Sequence, residues 1–148
     1  MRSTPDISSA TPPLTLGRLV VLVRDYDAAL DFYSTAFGAR VLFDAPSPTG
    51  DRYLHVGFGA EAGQPDARTG IWLLRATGSD LELVGRQAGG QPLAVFYTTD
   101  VRAAVERVAA AGGRVVRPVV TADGASFAHV TDLYGNEFVL VQLASGMP

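Results

Sequence analysis

Cysteine is absent from the 148 residues, which excludes disulfides, thiolate metal sites and a cysteine nucleophile. Charge is sparse: Asp, Glu, Lys and Arg make up 18% of the chain, and the formal net charge is −3. With 12 basic side chains against 15 acidic ones, the surplus that nucleic-acid binders carry is missing. Long apolar runs are missing too. The longest, Leu19–Val23, falls far short of the roughly 20 residues that cross a bilayer. Residues 1–13 are polar and Pro-rich, without the apolar stretch of a secretory signal. What remains is apolar bulk: 47% of residues are hydrophobic and 9% aromatic, which excludes a chain disordered by composition. The expectation is a soluble, cytoplasmic protein with a disordered tail over residues 1–13 and neither nucleic-acid nor membrane partners.

The chain repeats itself once. At a constant offset Val20, Asp25, Ala28 and Ala29 fall on Val95, Asp100, Ala103 and Ala104. With one residue dropped, Gly38, Arg40, Val41, His55 and Val56 fall on Gly112, Arg114, Val115, His129 and Val130. Each half opens with a β-rich run (Leu16–Val23, Leu93–Thr98), followed by an Asp suited to cap a helix, Asp25 or Asp100. Helical spacing follows at Ala29, Leu30, Tyr33 and Phe37, and at Val101, Ala104, Val105 and Val108. Each helix stops at glycine, Gly38 or Gly112–Gly113. Three short strands complete each half: Arg40–Phe43, Arg52–Phe58 and Ile71–Leu74, then Arg114–Val120, Ser126–Val130 and Phe138–Leu143.

The plan is an α+β fold of two tandem βαβββ modules, curved mixed sheets around a cavity with the helices outside. The modules are expected over residues 14–75 and 93–143, with a linker over 76–92 and a C-terminal tail over 144–148. The linker and the Gly-rich stretch Gly59–Gly70 are candidate lids or rims. Strand alternation sends Leu19, Val21 and Val23 toward the first helix and Arg18, Val20 and Leu22 inward. Equivalent parity sends Leu93, Val95 and Tyr97 inward.

The residues Val23-Arg24-Asp25 before Ala29-Leu30-Asp31-Phe32-Tyr33 and Phe37-Gly38, together with Asp132-Leu133-Tyr134-Gly135-Asn136, resemble the vicinal-oxygen-chelate superfamily. That superfamily includes glyoxalase I, bleomycin-resistance proteins and extradiol dioxygenases; the second motif has Leu133 where the family has proline. Ala76-Thr77-Gly78 and Gln87-Ala88-Gly89-Gly90 resemble an uncharacterised glyoxalase-like branch. The resemblance implies four metal-ligand positions, which fall on Arg18, Trp72, Leu93 and Val139, with Glu82 as an outside alternative to Trp72. Arginine stays protonated, and Leu, Val and Trp offer no donor to a divalent ion, so no metal and no cofactor are expected.

The candidate ligand-binding residues are Arg18, Tyr53, His55, Trp72, Leu93, Tyr97, Phe127, His129 and Val139. His55 and His129, the only histidines, occupy matching repeat positions. Three roles stay open for them: satisfied cavity histidines, ligand contacts, or acid–base groups. No carboxylate is visibly paired with either ring. Arg18, facing an apolar interior, needs a carboxylate, an anionic guest or a path to water, and Glu137 is the expected internal partner. Asp132 and Asn136 read as turn residues.

The resulting expectation is a metal-independent, homodimeric, glyoxalase- or bleomycin-resistance-like protein that binds a small, partly apolar or aromatic molecule. The alternative is a lyase, isomerase or dioxygenase-type enzyme using the cavity histidines or a relocated metal site.

Overall fold

The computed structural model describes residues 12–59 and 69–144. The first module runs β1 (Arg18–Val23), α1 (Tyr26–Phe37), β2 (Arg40–Pro46), β3 (Arg52–Gly57) and β4 (Gly70–Arg75). The second runs β5 (Pro92–Tyr97), α2 (Val101–Ala111), β6 (Val115–Ala122), β7 (Ala125–Thr131) and β8 (Glu137–Leu143). The expected helix signals act where the sequence puts them. Asp25 Oδ1 accepts from the Ala28 amide at 2.8 Å, and Asp100 Oδ1 from that of Ala103 at 3.1 Å. Gly38 and Gly112 end the helices with φ of 69° and 110°, the left-handed conformation that glycine adopts without a Cβ penalty.

Each module forms one four-stranded mixed sheet, ordered β1-β4-β3-β2 in the first and β5-β8-β7-β6 in the second. The first and last strand of each module pair in parallel, and the remaining pairs are antiparallel. The two sheets are separate, so the fold is α+β with two similar modules and no closed barrel.

One core joins the modules on their helical sides. On α1 the buried residues Ala29, Phe32, Tyr33 and Ala36 recur at helical spacing and meet Val21 and Val23 of β1, Leu54 and Val56 of β3, and Leu73 of β4. Val101 and Val108 of α2, two turns apart, join Ala128, Val130, Phe138 and Leu140 in the same cluster. Aromatic rings stitch the modules together: Phe37 meets Phe96 at 4.9 Å and Phe138 at 5.4 Å, and Phe58 meets Phe96 at 5.0 Å. The helices α1 and α2 pack against each other. The sheet faces turned away from them stay open: Val20 is 38% exposed, Val95 53% and Tyr97 52%.

A polar clasp reinforces this junction. Asp132, only 2% exposed, gathers five hydrogen bonds. Its Oδ1 accepts from the amides of Tyr134, Gly135 and Asn136, its Oδ2 from Asn136 Nδ2 and, at 2.6 Å, from the Tyr33 hydroxyl of the other module. Asp132 and Asn136 are thus turn residues, and Asp132 also ties α1 to the β7–β8 turn. Burial, followed by the neighbouring Asp132 carboxylate, holds the Tyr33 hydroxyl well above its ordinary ionisation range.

The stretch between the modules is more structured than its composition suggests. It contains a 3₁₀ turn at Gly78–Leu83, and Gln87 then behaves like a short piece of neighbouring strand. Its amide oxygen accepts from Leu22 N at 2.6 Å and its amide nitrogen donates to Val20 O at 3.0 Å. The free edge of β1 is thereby occupied, which removes a template for unwanted strand pairing. Gly85, with φ 78°, lies so close to the β7–β8 turn that an added Cβ would sit 1.9 Å from Tyr134 O. This segment thus clasps the edge of β1 and the β7–β8 turn. Most of the other candidate lid or rim, residues 60–68 of Gly59–Gly70, lies outside the described residues, as do residues 1–11 and 145–148.

Candidate functional site

The open faces carry the candidate residues, divided by sheet. On the first sheet His55 of β3 stands directly opposite Trp72 of β4, and Trp72 opposite Val20 of β1. The rings form a continuous patch: His55 lies 5.5 Å from Trp72 and 5.7 Å from Phe43, and Tyr53 lies 6.0 Å from Trp72 and 6.5 Å from Phe43. Arg18 flanks this patch. Its Nε donates to His55 Nδ1 at 3.2 Å and its Nη1 to Gly17 O at 2.7 Å. Burial, and secondarily the Arg18 charge, pushes the His55 pKa down and so disfavours the charged ring.

On the second sheet His129 of β7 faces Val139 of β8, Phe127 faces Val141, and Val95 and Tyr97 of β5 face Val139 and Val141. Phe127 and His129 lie with their rings 6.3 Å apart. Leu93 sits half-buried beside Glu137 at the start of the sheet. His129 Nδ1 and Glu137 Oε2 are 2.6 Å apart, with the two side chains 18% and 22% exposed.

This pairing corrects two expectations. Glu137 is the partner of His129, not of Arg18, and one histidine does have a carboxylate. The cause is topological: Arg18 and His55 lie on the two strands flanking β4, within reach of a long side chain, whereas Glu137 belongs to the other sheet. His129 and Glu137 lie diagonally across one antiparallel hairpin, where Thr131 opposes Glu137 and His129 opposes Val139. Equal strand parity on either side of the Asp132–Asn136 turn is a signal that would have found the pair.

Arg18, Tyr53, His55 and Trp72 are therefore brought together on one face, and Tyr97, Phe127, His129 and Val139 on the other, whereas Leu93, at a register irregularity between Pro92 and Ala94, packs against the core. Among the described residues no hydrogen bond or ring contact links the two groups. Sequence reasoning missed Phe43, which faces His55 across β2 and β3. A β-bulge between Val41 and Phe43 breaks the alternation that would have assigned its face.

The four positions the family resemblance assigns to metal ligands do not fit a divalent ion. Arg18 is a cation, and Leu93 and Val139 are hydrocarbon. Trp72 presents an indole whose Nε1, a donor only, is buried and has no hydrogen-bond partner among the described residues. Glu82 is exposed on the 3₁₀ turn. Among the described residues no three His, Asp or Glu side chains gather closely enough to hold an ion.

A cleft of about 600 Å³ lies away from these faces, lined by Arg24, Asp27, Asp44, Asp51, Arg52 and Arg75 among others. Its charges largely answer one another: Arg52 pairs with Asp44 and Asp27 at 2.8 Å, and Arg75 with Asp51 at 3.4 Å. The hydrogen bonds from Arg52 hold the Asp44 carboxyl below its ordinary pKa. This network ties the β2–β3 hairpin to the start of α1. No helix among the described residues is long and apolar enough to cross a membrane.

A family model described as the glyoxalase/bleomycin resistance protein/dioxygenase superfamily matches residues 15–140. An uncharacterised protein of Shewanella frigidimarina (strain NCIMB 400) is 31% identical over 134 residues, covering 88% of this chain and 94% of its own. Among solved structures, TnmS3, an antibiotic binding protein from Streptomyces sp. CB03234, superposes with a TM-score of 0.67 at 24% identity, covering 88% of this chain and 97% of that one. A glyoxalase I mutant from Zea mays gives a TM-score of 0.68 at 22% identity, covering 88% of this chain and 45% of that one. At these identities the structural likenesses establish a shared fold.

Proposed function

The chain belongs to the glyoxalase/bleomycin resistance protein/dioxygenase superfamily, and from that premise we propose that it is a metal-independent binding protein for a small, partly apolar or aromatic molecule. The observation that carries this reading is the ring patch of Phe43, Tyr53, His55 and Trp72 on an open sheet face, with the Arg18 guanidinium at its edge. Such a surface suits a flat unsaturated guest held by stacking, with a cation available to a carboxylate or other anionic group. TnmS3, which shares the fold, is an antibiotic binding protein, and sequestration of a drug-like compound or metabolite is the role proposed here.

The half-exposed Val95 and Tyr97 on the second open face support association as a homodimer, in which the first face of one copy meets the second face of another around the guest. The place of action proposed is the cytoplasm, following the sequence expectation. The enzyme reading has one observation in its favour, the His129–Glu137 pair, which resembles the base-and-orienter arrangement of acid–base catalysis.

The test is a calorimetric titration of the protein against a panel of aromatic antibiotics and metabolites, with recovery of each bound compound. Saturable binding with the guest recovered unchanged is the expected result. Chemical conversion of the tightest binder, lost in His129→Ala, would establish the enzyme reading instead. Sedimentation of a monomer in the presence of saturating guest would overturn the paired-copy arrangement.

A further inference from the structure

The two histidines occupy equivalent places in the two modules, yet their partners give them opposite polarity. Arginine has only donors, so the 3.2 Å contact from Arg18 Nε makes His55 Nδ1 an acceptor. In the neutral ring the proton then sits on Nε2. His55, with Arg18 beside it, presents hydrogen-bond donors to whatever lies on the first face.

At His129 the arrangement is reversed. The Glu137 carboxylate accepts, so the proton of the neutral ring belongs on Nδ1, and Nε2 keeps its lone pair. Among the described residues that nitrogen has no hydrogen-bond partner. On the β8 side of His129 lie Val139 and Val141, beside it on β7 lies Phe127, and the half-exposed ring of Tyr97 stands opposite Val141; on the β6 side Arg117 stands directly opposite His129. An oriented acceptor with hydrocarbon and aromatic surface on its β5–β8 side, and the Arg117 cation on its β6 side, suits a hydroxyl carried on an apolar ring.

We propose that the second open face is a subsite for a phenolic hydroxyl, with His129 Nε2 accepting the hydrogen bond and Glu137 acting as the positioning residue that fixes the ring's tautomer. The inference rests on the reading of the open faces as the guest-binding surface and adds the class of guest: an aryl ring bearing a hydroxyl. The first face, with its donors, then takes the acceptor or anionic end of the same molecule.

The test compares 2-naphthol with 2-methoxynaphthalene, which keeps the ring system and removes the donor hydrogen. Both are titrated into the full chain, with affinity read from NMR chemical-shift changes. The wild-type protein is expected to prefer the naphthol by about five- to tenfold, the worth of one neutral hydrogen bond. His129→Ala is expected to abolish that preference by weakening the naphthol more than 2-methoxynaphthalene. Glu137→Gln is expected to reduce it, with nitrogen-15 shifts showing His129 leaving the Nδ1–H tautomer. A change of tautomer is a readout that a purely structural role for Glu137 would not produce.

Equal binding of the two probes to wild type, or a preference that survives His129→Ala, overturns the hydroxyl subsite and leaves the guest-binding reading standing. Saturable binding of neither probe, together with no binder in the antibiotic and metabolite panel, overturns both.

Discussion

The Tyr33–Asp132 hydrogen bond offers the sharpest test of how the modules are held together. Tyr33→Phe removes one oxygen and leaves the ring contacts to Phe32, Phe37 and Phe138 in place. It deletes a buried 2.6 Å hydrogen bond to a carboxylate, worth about 1.5–3 kcal/mol. Asp132→Asn keeps the shape but turns one acceptor oxygen into a donor group. If the amide oxygen faces the three backbone amides, the nitrogen confronts the Tyr33 hydroxyl and Asn136 Nδ2. Two charge-assisted bonds then fail, an expected loss of about 3–6 kcal/mol. Domains of ordinary stability have about 5–15 kcal/mol in total, so this second variant is marginally folded.

The assay is urea unfolding of wild type, both single variants and the double variant. With a slope of about 1–3 kcal/mol per molar, Tyr33→Phe shifts the midpoint by about 1 M. Because the two residues share one bond, their effects are not additive, and the double variant is less damaged than the sum by about 1.5–3 kcal/mol. A loss below about 0.5 kcal/mol for Tyr33→Phe, or strict additivity, would refute the clasp.

Further outcomes follow from the same geometry. Tyr33 is held neutral in the fold, with its pKa raised by burial and by Asp132, so the unfolded chain releases this proton first. Its contribution is intact below the ordinary tyrosine pKa of about 10 and is lost as pH rises beyond it; the slope of stability against pH in that range should flatten in Tyr33→Phe. His55 works in the opposite direction, because burial and Arg18 lower its pKa. Its contribution is present above the unfolded histidine pKa of about 6.5 and is lost as pH falls through the lower folded value, and His55→Gln should remove that acid dependence from the melting temperature. Gly85→Ala combines a left-handed φ of 78° with a Cβ 1.9 Å from Tyr134 O, whereas at Gly38, φ 69°, a Cβ meets nothing within 4 Å. By thermal unfolding, Gly38→Ala should cost about 1–2 kcal/mol and Gly85→Ala clearly more; equal costs would contradict the close approach of linker and turn.

Much of the architecture was legible because its signals are local. Asp25 and Asp100 cap, Gly38 and Gly112 stop, and the alternation Val21–Val23 or Leu54–Val56 names a buried face without knowledge of the partner element. The site was legible only as two lists of inward parity. Which listed residue touches which depends on strand order, a non-local property: β4 between β1 and β3 gives Arg18 to His55, and the β7–β8 hairpin gives Glu137 to His129. Phe43 escaped because a bulge resets parity. Gln87 escaped because a side chain imitating a strand leaves no periodic trace. Among the described residues no hydrogen bond or ring contact joins the two open faces, so no pattern along the sequence links one list to the other.

Whether a guest is held on these faces without a metal ion is decided by measuring the affinity of the tightest-binding aromatic guest with and without a chelator. Equal dissociation constants in chelator, and no gain on adding nickel, zinc, manganese or iron, are the expected result. Loss of binding in chelator, restored by one of those ions at one per site, would contradict metal-free binding.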